Sequence, residues 1–244
     1  MIKNSSNSAT PGRLYLIPVS LSEDNDPQYD IPAGNTAILN NLSEFICENE
    51  RTARRFLRAM GFTGNFDEVT LHVLDKHTRE TDLPEFLARA RQGNDIGLLS
   101  EAGNPCIADP GQMIVKLAHL AGIRVIPLVG PSSILLALIS SGFNGQHFIF
   151  HGYLPIERNK RIAKIRDMEQ AAQKLGQTQI FMETPYRNNG LLEDLIKTCK
   201  PTTPLCIASN ITAEDEFIRT LTVGHWKQNT PDLHKKPTVF LIYK

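Results

Sequence analysis

The stretch from Ile96 to Gly111 constrains the fold of this chain more than any other. It begins with Ile-Gly-Leu-Leu-Ser, a short apolar run between breakers that is typical of a buried strand. Two glycines and two prolines follow and favour a stiff loop. Asp109-Pro110 then predicts an N-cap with a first-turn proline, ahead of a helix from Gln112 to Ala121. Open α/β sheets bind small ligands at such a junction, although an ordinary strand-to-helix connection has the same pattern.

Strand and helix patterns alternate along the rest of the chain, which predicts a mostly parallel sheet with helices on both faces. Two patterns near the end favour antiparallel strands. We expect a flexible tail over 1–11, an N-terminal α/β domain over 12–144 and a C-terminal α/β domain over 145–244. Strands are predicted over Arg13–Val19, Glu68–Leu74, Arg124–Val129, Phe148–Phe150, Thr178–Met182, Leu205–Ser209, Phe217–Val223 and Thr238–Tyr243. Helices are predicted over Thr36–Met60, Leu83–Arg91, Ile134–Ser141, Arg158–Lys174 and Leu191–Lys197.

Composition predicts a soluble globular protein, because 41% of the 244 residues are hydrophobic and 21% are charged. The 26 basic and 26 acidic side chains cancel, so any contact with nucleic acid must come from local patches. The sequence shows neither a signal peptide nor an apolar run long enough to span a bilayer, and a cytoplasmic location is expected. The four cysteines form no C-x-x-C pair, which favours free buried thiols over a metal site.

Two further patterns have both a structural and a functional interpretation. Gly130 to Ser133 is a second small-residue loop, and with the first it would form two lips of one pocket if the strands are neighbours. Ser132 and Ser133 would then bind a ligand, or would only cap the next helix. Arg51, Arg54, Arg55 and Arg58 share one helix face, which is either a solvated surface or a stripe that contacts phosphates.

Five motifs stand in order along the chain. They are Glu-Asn-Glu-Arg over residues 48–51, Ser-Glu-Ala-Gly-Asn-Pro-Cys-Ile-Ala-Asp-Pro-Gly over residues 100–111, Val-Gly-Pro-Ser-Ser over residues 129–133, Phe-His-Gly-Tyr-Leu-Pro over residues 150–155 and Glu-Thr-Pro-Tyr-Arg over residues 183–187. No dinucleotide-binding G-x-G-x-x-G after a strand, P-loop, nucleophile elbow or H-E-x-x-H motif is present beside them.

This series resembles the tetrapyrrole methylase superfamily, and most of all its branch of ribosomal RNA small-subunit methyltransferases I. The corresponding motifs of that branch are Glu-Asp-Thr-Arg, which is matched less well, Ser-Asp-Ala-Gly-Thr-Pro-x-Ile-Ser-Asp-Pro-Gly, Pro-Gly-Pro-Ser-Ala, Phe-x-Gly-Phe-Leu-Pro and Glu-Ser-Pro-His-Arg.

Two segments depart from the branch. After the first strand it has Ala-Thr-Pro-Ile-Gly-Asn, where this chain has Pro-Val-Ser-Leu-Ser-Glu over residues 18–23. Late in the chain it has Arg-Glu-Leu-Thr-Lys, where residues 209–213 read Ser-Asn-Ile-Thr-Ala and lack the lysine. Both segments lie on the substrate side of the family's cleft, so the resemblance supports cofactor binding better than substrate identity.

The resemblance implies two α/β domains with S-adenosylmethionine in the cleft between them, a homodimer, and methyl transfer to a ribose 2′-hydroxyl of ribosomal RNA without a metal. The implied cofactor-binding residues are Pro18, Gly103, Asn104, Pro105, Ile107, Ala108, Ser132, Ser133, Met182, Ala208, Pro237 and Thr238. The implied RNA-binding residues are Arg51, Arg54, Arg55 and Arg187, helped by Lys160, Arg161 and Lys164.

The general base is not identified, and Glu48 and Glu183 are candidates from the matched motifs. Two alternatives to an RNA methyltransferase stay open because of the two departures. One is a methyltransferase for a tetrapyrrole-like or other small metabolite. The other is a cofactor-binding module that has lost catalysis.

Overall fold

The computed structural model describes residues 10–22, 24–75 and 77–244, so most of the predicted tail over 1–11 lies outside the described residues. The chain divides into two compact units, the first ending at Pro131 and the second beginning at Ser132. This division falls earlier than the boundary predicted after Asn144, because the intervening helix packs against strands of the second unit.

The first unit contains a five-stranded parallel sheet. Its strands are β1 (Arg13–Ile17), β2 (Glu44–Cys47), β3 (Thr70–Val73), β4 (Ile96–Leu99) and β5 (Arg124–Pro127). They lie in the order β3-β2-β4-β1-β5. Two short 3₁₀ turns, Pro27–Tyr29 and Glu85–Leu87, lie in the connections. Its helices are α1 (Gly34–Leu39), α2 (Glu50–Ala59), α3 (Ala88–Arg91) and α4 (Gln112–Leu120).

Helices cover both faces of this sheet, as predicted. One hydrophobic cluster combines strand residues such as Phe45 with Leu39 of α1 and Leu57 of α2. A second cluster combines Leu98 with residues of α3 and α4, including Ile114. Strand β4 is buried on both faces, which explains why its sequence is a continuous apolar run rather than an alternating one.

The single helix predicted over Thr36–Met60 is wrong. The structure forms α1, the buried strand β2 and α2 in that segment. The four residues Glu-Phe-Ile-Cys of β2 are too few for their period to distinguish a strand from a buried helix turn. Asn49 caps α2 by accepting hydrogen bonds from the backbone N–H groups of Arg51 (2.9 Å) and Thr52 (3.3 Å).

The second unit contains a five-stranded mixed sheet. Strands β6 (Phe148–Tyr153) and β7 (Thr178–Met182) are parallel. The other pairings, made by β8 (Pro204–Ser209), β9 (Phe217–Thr222) and β10 (Thr238–Ile242), are antiparallel, as predicted for the chain end. The strand order is β6-β7-β10-β8-β9. The helices are α5 (Ser133–Ser141), α6 (Arg158–Leu175), α7 (Asn188–Thr198) and α8 (Val223–Gln228).

Phe181 of β7 and Phe240 of β10 stack with 5.9 Å between their ring centroids at the centre of the second unit's core. The core also contains apolar residues of α6, α7 and α8, and α5 packs against β8, β9 and β10. Helix α8 was not predicted, because its six residues include a glycine and show no clear period. Within the described ranges, no helix combines the length and the apolar character needed to cross a membrane.

Candidate functional site

The carboxyl ends of the parallel strands place three loops of the first unit side by side. The loop after β1 and the loop after β4 are joined by a pair of backbone hydrogen bonds between Val19 and Gly103, of 2.9 and 2.8 Å. The Ser100 hydroxyl donates to the Gly103 carbonyl oxygen at 2.8 Å. This edge of the sheet is therefore a braced structure rather than a set of independent connections.

The loop after β4 holds three residues in the left-handed region, Gly103 (φ +70°), Cys106 (φ +72°) and Ala108 (φ +64°). Residues other than glycine rarely adopt this backbone conformation, and those that do are concentrated at functional sites. The Asp109 carboxylate stabilises the loop by accepting hydrogen bonds from the backbone N–H groups of Cys106 (2.8 Å) and Gly111 (2.7 Å). Asp109 is thus a brace within the loop, and its predicted role as the N-cap of α4 is wrong, because Gly111 holds that position.

The loop after β5 closes against the other two. Pro18 lies so near Gly130 that a Cβ built on that glycine would stand 2.2 Å from the Pro18 Cγ. The Asn104 amide donates to the Pro131 carbonyl oxygen at 3.2 Å. The loops after β4 and β5 therefore meet as predicted, but their strands are not neighbours, because β1 lies between them.

Among the predicted cofactor-binding residues of the first unit, the structure brings Pro18, Gly103 and Asn104 into this contact. Ile107 and Ala108 are exposed on the same loop, whereas Pro105 is buried. Ser132 and Ser133 belong to the second unit. Ser132 is the N-cap of α5 and accepts from the Leu135 backbone N–H at 3.5 Å, which is the structural role considered from the sequence.

Glu48 and Glu101 follow the adjacent strands β2 and β4. Burial, followed by the carboxylates of Asp109 and Glu101, raises the pKa of Glu48, while the Glu101 backbone N–H opposes the shift. The Thr52 hydroxyl donates to Glu101 Oε1 at 2.8 Å and ties α2 to the loop after β4. A half-buried carboxyl with a raised pKa is suited to accept a proton near neutral pH.

A pocket opens beside these carboxylates. It is lined by the loop after β1, one side of α2 and the first residues of the loop after β4, including Ser20, Arg55 and Glu101. The Ser20 hydroxyl donates to Asp30 Oδ1 at 2.9 Å and holds the first loop in place. Sequence reasoning did not single out Glu101 or Ser20. The signal available for Ser20 was its position in a segment that departs from the family motif, and for Glu101 it was the matched motif itself, in which the family has aspartate at this position.

The arginine stripe on α2 does not form one uniform surface. Arg54 and Arg58 lie over the Phe66 ring at 5.5 and 4.9 Å from its centroid, and Arg54 is 3.8 Å from Glu50. Arg55 lines the pocket and Arg51 is exposed at the start of the helix. Only part of the predicted stripe therefore faces the candidate site.

In the second unit, four predicted residues meet at one end of the sheet. Met182 and Ala208 flank Val239 on the two strands that pair with β10, and Thr238 pairs with Ser209. The Pro237 carbonyl oxygen accepts from the Asn210 backbone N–H at 2.9 Å. Ala208 and Thr238 are buried, whereas Met182 is half-buried and Pro237 is exposed. Met182 and Pro237 are therefore the two of these residues that solvent reaches at this end of the sheet.

The segment that lacks the family's lysine forms a tight turn after β8. Asn210 (φ +49°) and Thr212 (φ +70°) are left-handed there. The Asn210 amide donates to both Asp215 oxygens at 2.9 and 2.8 Å, and the Thr212 backbone N–H donates to Glu216 at 2.8 Å. Acidic side chains thus stabilise the turn in which the family has a cation.

Glu183 directly follows β7, and its side chain is only 1% exposed. Its Oε1 accepts from Arg187 Nη2 at 2.6 Å and from the Thr184 backbone N–H at 2.7 Å. Its Oε2 is buried without a hydrogen-bond partner among the described residues. Arg187, which was predicted to bind RNA, is therefore held by the side chain that was predicted to act as a base.

Three basic residues in the first turn of α6 are paired with carboxylates. Arg161 donates to the buried Asp194 carboxylate at 2.7 and 2.9 Å, and Arg158 donates to its other oxygen at 2.9 Å. Lys160 pairs with Glu157 at 2.7 Å. Of the three α6 residues predicted to help bind RNA, Lys160 and Arg161 are therefore paired with carboxylates, and Lys164 is half-buried.

The cysteines are free thiols, of which Cys47, Cys199 and Cys206 are buried as predicted, whereas Cys106 is half-buried. Burial raises the pKa of Cys47 to about 12 and, with the Asp109 carboxylate, that of Cys106 to about 11. Over residues 10–22, 24–75 and 77–244, no group of three or more His, Cys, Asp or Glu side chains is arranged to hold a metal ion.

Comparisons with solved structures find the same fold in other proteins. The structure is similar to the methyltransferase CobJ, with a TM-score of 0.64 and 17% identity over 96% of this chain and 94% of that one. It is also similar to a uroporphyrin-III-C-methyltransferase from Thermus thermophilus, with a TM-score of 0.56 and 18% identity over 96% and 92% of the two chains. These similarities confirm the two-unit α/β fold expected from the motifs.

Sequence comparisons point to the same group. The ribosomal RNA small subunit methyltransferase I of Escherichia coli O157:H7 is 27% identical over 99% of this chain and 81% of its own length. The protein of that name from Xylella fastidiosa is 31% identical over 77% of this chain and 64% of its own length. The family model for tetrapyrrole (corrin/porphyrin) methylases matches residues 31–226. The chain therefore belongs to the tetrapyrrole (corrin/porphyrin) methylase family, which confirms the S-adenosylmethionine-dependent methyltransferase class predicted from its motifs.

Proposed function

We propose that this methyltransferase transfers a methyl group from S-adenosylmethionine to a ribose 2′-hydroxyl of small-subunit ribosomal RNA. The observation that carries the proposal is the braced loop from Gly103 to Asp109, which combines the matched motif with three left-handed residues. Relatives named ribosomal RNA small subunit methyltransferase I support the RNA substrate, since one of them aligns over 99% of this chain.

The residues of the first unit fit a methyl donor. Gly103 is packed so closely that an added Cβ would stand 3.2 Å from Leu21 Cδ2 and 3.5 Å from the Pro131 carbonyl oxygen. Glycine and left-handed turns let backbone groups approach a polar ligand closely, so Gly103, Asn104, Ile107 and Ala108 would hold the methionine and ribose part. S-adenosylmethionine supplies an already activated methyl carbon, and the chain has to orient the acceptor in line with it.

Glu48 is the better candidate for the group that takes the hydroxyl proton. Its raised pKa follows from burial and from the carboxylates of Asp109 and Glu101, on the edge where the braced loop lies. Glu183 is engaged by Arg187 and the Thr184 N–H, so its charge is already compensated. Proton abstraction at neutral pH favours a carboxyl whose charge is poorly compensated.

A small-molecule methyltransferase is the second candidate function, and the pocket beside Glu101 favours it. The loop that lines this pocket is the segment that departs from the RNA-methylating branch. An inactive cofactor-binding module is the third candidate, because residues 209–213 lack the family's lysine. A homodimer and a cytoplasmic location also stay predictions, which light scattering and fluorescence imaging of the tagged protein would test.

Calorimetry with S-adenosylmethionine followed by transfer of a labelled methyl group separates these functions. Small ribosomal subunits from a strain that lacks the gene are the acceptor, and mass spectrometry maps the modified nucleotide. Methylation of one nucleotide, absent in that strain and lost with Glu48→Gln, is the expected result. Donor binding without transfer to RNA would overturn the proposal, and transfer to a pool of small metabolites would favour the second candidate.

A further inference from the structure

The turn that follows β7 presents one aromatic ring and one guanidinium group next to each other. The Tyr186 side chain is among the most exposed large hydrophobic groups of the described residues, at 71%. The adjacent Arg187 side chain is 40% exposed. An exposed tyrosine beside an arginine offers a flat surface for a base and N–H donors for a phosphate.

This turn is rigid, because buried polar groups fix it from below. Glu183 holds the Arg187 guanidinium and the Thr184 backbone N–H. Asn188 is buried and donates to the Lys236 carbonyl oxygen at 2.7 Å, and the Lys235 backbone N–H donates to the Pro185 carbonyl oxygen at 3.1 Å. Little conformational entropy would thus be lost when a ligand contacts the turn.

The hydrogen-bond capacity of the turn is incompletely used within the described part of the chain. Glu183 Oε2, Arg187 Nε and Asn188 Oδ1 are buried without hydrogen-bond partners there. Removing such groups from water is costly, so their retention in one turn needs a reason other than stability. A role for Glu183 in fixing the orientation of Arg187 provides that reason.

Charges around the turn are nearly balanced. Arg187 faces Glu183, and Lys236 lies 3.5 Å from Asp215. The Asp232 carboxylate accepts hydrogen bonds from the Asn189 amide and from the His234 backbone N–H. The bond from Asn189, followed by the bond from His234, lowers the pKa of Asp232, so this carboxylate stays ionised. The His234 ring packs edge-on against Tyr186, with 5.9 Å between centroids. A ligand would thus be recognised by stacking and one directed contact, not by a broad positive field.

We propose that Tyr186 and Arg187 form a clamp for one nucleotide of single-stranded RNA, and that Glu183 is a positioning residue for Arg187 rather than a base. The inference rests on the proposed function for the RNA class of the substrate. A base stacks on the Tyr186 ring, and the outer N–H groups of Arg187 donate to the neighbouring phosphate.

The test measures binding of a fluorescent single-stranded RNA oligonucleotide by anisotropy, without methyl donor, over a range of salt concentrations. Tyr186→Ala should weaken binding roughly five- to tenfold, at the lower end of the contribution of a stacked base, and should leave the salt slope unchanged. Tyr186→Phe keeps the ring and should bind like the wild type. Arg187→Lys keeps the positive charge but loses the planar N–H donors, so it should weaken binding. One phosphate contact contributes roughly 0.7 to the slope of log K against log salt for a single strand, and the slope should change by no more than that.

Lys174→Ala is the matched control. Lys174 is exposed near the end of α6, and β7 begins shortly after it, so the lysine lies toward the amino end of β7, opposite the turn. Its removal should change neither affinity nor salt slope. If Tyr186→Ala binds RNA as tightly as the control does, the clamp is refuted, whether or not the wild type transfers methyl groups.

Glu183→Gln distinguishes a positioning residue from a base. The amide keeps an oxygen for Arg187 and Thr184 but removes the charge, so a positioning role predicts a KM increase larger than the loss in kcat. Loss of kcat at unchanged KM would assign Glu183 to proton transfer and overturn the inference. Because RNA affinity is measured without turnover, failure of the clamp and failure of the proposed function give different results.

Discussion

Replacing Gly130 by alanine should disturb the whole braced edge of the first sheet. The new Cβ would lie 2.2 Å from Pro18 Cγ and 2.3 Å from Pro18 Cβ. Ordinary contacts begin near 3.4 Å, so one of the two loops must move by about 1.2 Å. The proline ring is fused to the backbone and cannot rotate away, so the displacement passes to Val19 and its two hydrogen bonds with Gly103.

The expected cost has two parts. Overpacking of this kind lowers the free energy of unfolding by about 1 to 3 kcal/mol. For a unit of this size the melting temperature should fall by roughly 3 to 12 °C. A misplacement of about 1 Å in a binding site weakens function by up to about a hundredfold, so we expect at least a tenfold higher Kd for S-adenosylmethionine.

Scanning calorimetry and titration calorimetry measure the two effects, with Gly145→Ala as the matched control. Nothing lies within 4 Å of a Cβ built on Gly145, and its φ is outside the left-handed region. The free energy of unfolding of that control should equal the wild-type value or exceed it by a few tenths of a kcal/mol, because alanine makes the unfolded chain stiffer. A Gly130→Ala protein with unchanged melting temperature and unchanged donor affinity would refute the reasoning that the three loops are locked together.

Three further predictions concern buried or half-buried ionisable groups. Asp194→Ala should lower the free energy of unfolding by about 3 kcal/mol in urea titrations, because it leaves the charge of Arg161, whose side chain is 14% exposed, without its carboxylate partner. The control Glu193→Ala, which breaks an exposed pair with Lys197, should lower the free energy of unfolding by less than about 1 kcal/mol. Because the pKa of Glu48 is raised, its contribution to stability is complete below its ordinary 4.5 and is lost as the pH rises through the folded value. Glu48→Gln should therefore unfold at higher temperature than the wild type near neutral pH but not at acidic pH, and the same difference at every pH would contradict this. With a pKa of about 11, Cys106 should react with iodoacetamide roughly tenfold faster per pH unit between about pH 7 and pH 10, and a rate that levels off near pH 8 in mass spectra would be inconsistent with a buried thiol.

Much of the fold could be predicted because its strands are short apolar runs between breakers. Thr178–Met182 was predicted with its exact bounds, and the predicted run Ile-Gly-Leu-Leu-Ser exceeds Ile96–Leu99 by one residue. In both strands the buried residues form a continuous run, so the pattern does not alternate. The strand Glu44–Cys47 was missed because it lies between two helices whose apolar residues continue its pattern. Local sequence does not show that tertiary pairing with β3 and β4 overrides helical propensity there.

The candidate site was less predictable than the fold. Motif order located the loop after β4, but the left-handed conformation of Cys106 and Ala108 could not be inferred, because neither residue type favours it. The link between Glu183 and Arg187 joins residues of one motif, yet sequence gives no measure of burial and left the carboxylate as a candidate base. The arginines of α2 were placed on one face correctly. The contact of Arg54 and Arg58 with the Phe66 ring could not be predicted, because Phe66 belongs to a separate loop.

The pair of hydrogen bonds between Val19 and Gly103 also divides the departing segment of the first unit into two parts. The departure from the family's opening motif begins at Pro18, but Pro18 and Val19 are held against the loops after β5 and β4. The residues that follow line the pocket, where the Ser20 hydroxyl donates to Asp30. Under the proposed function, substitutions beyond Val19 can change the preferred acceptor while the fastened loops keep their shape.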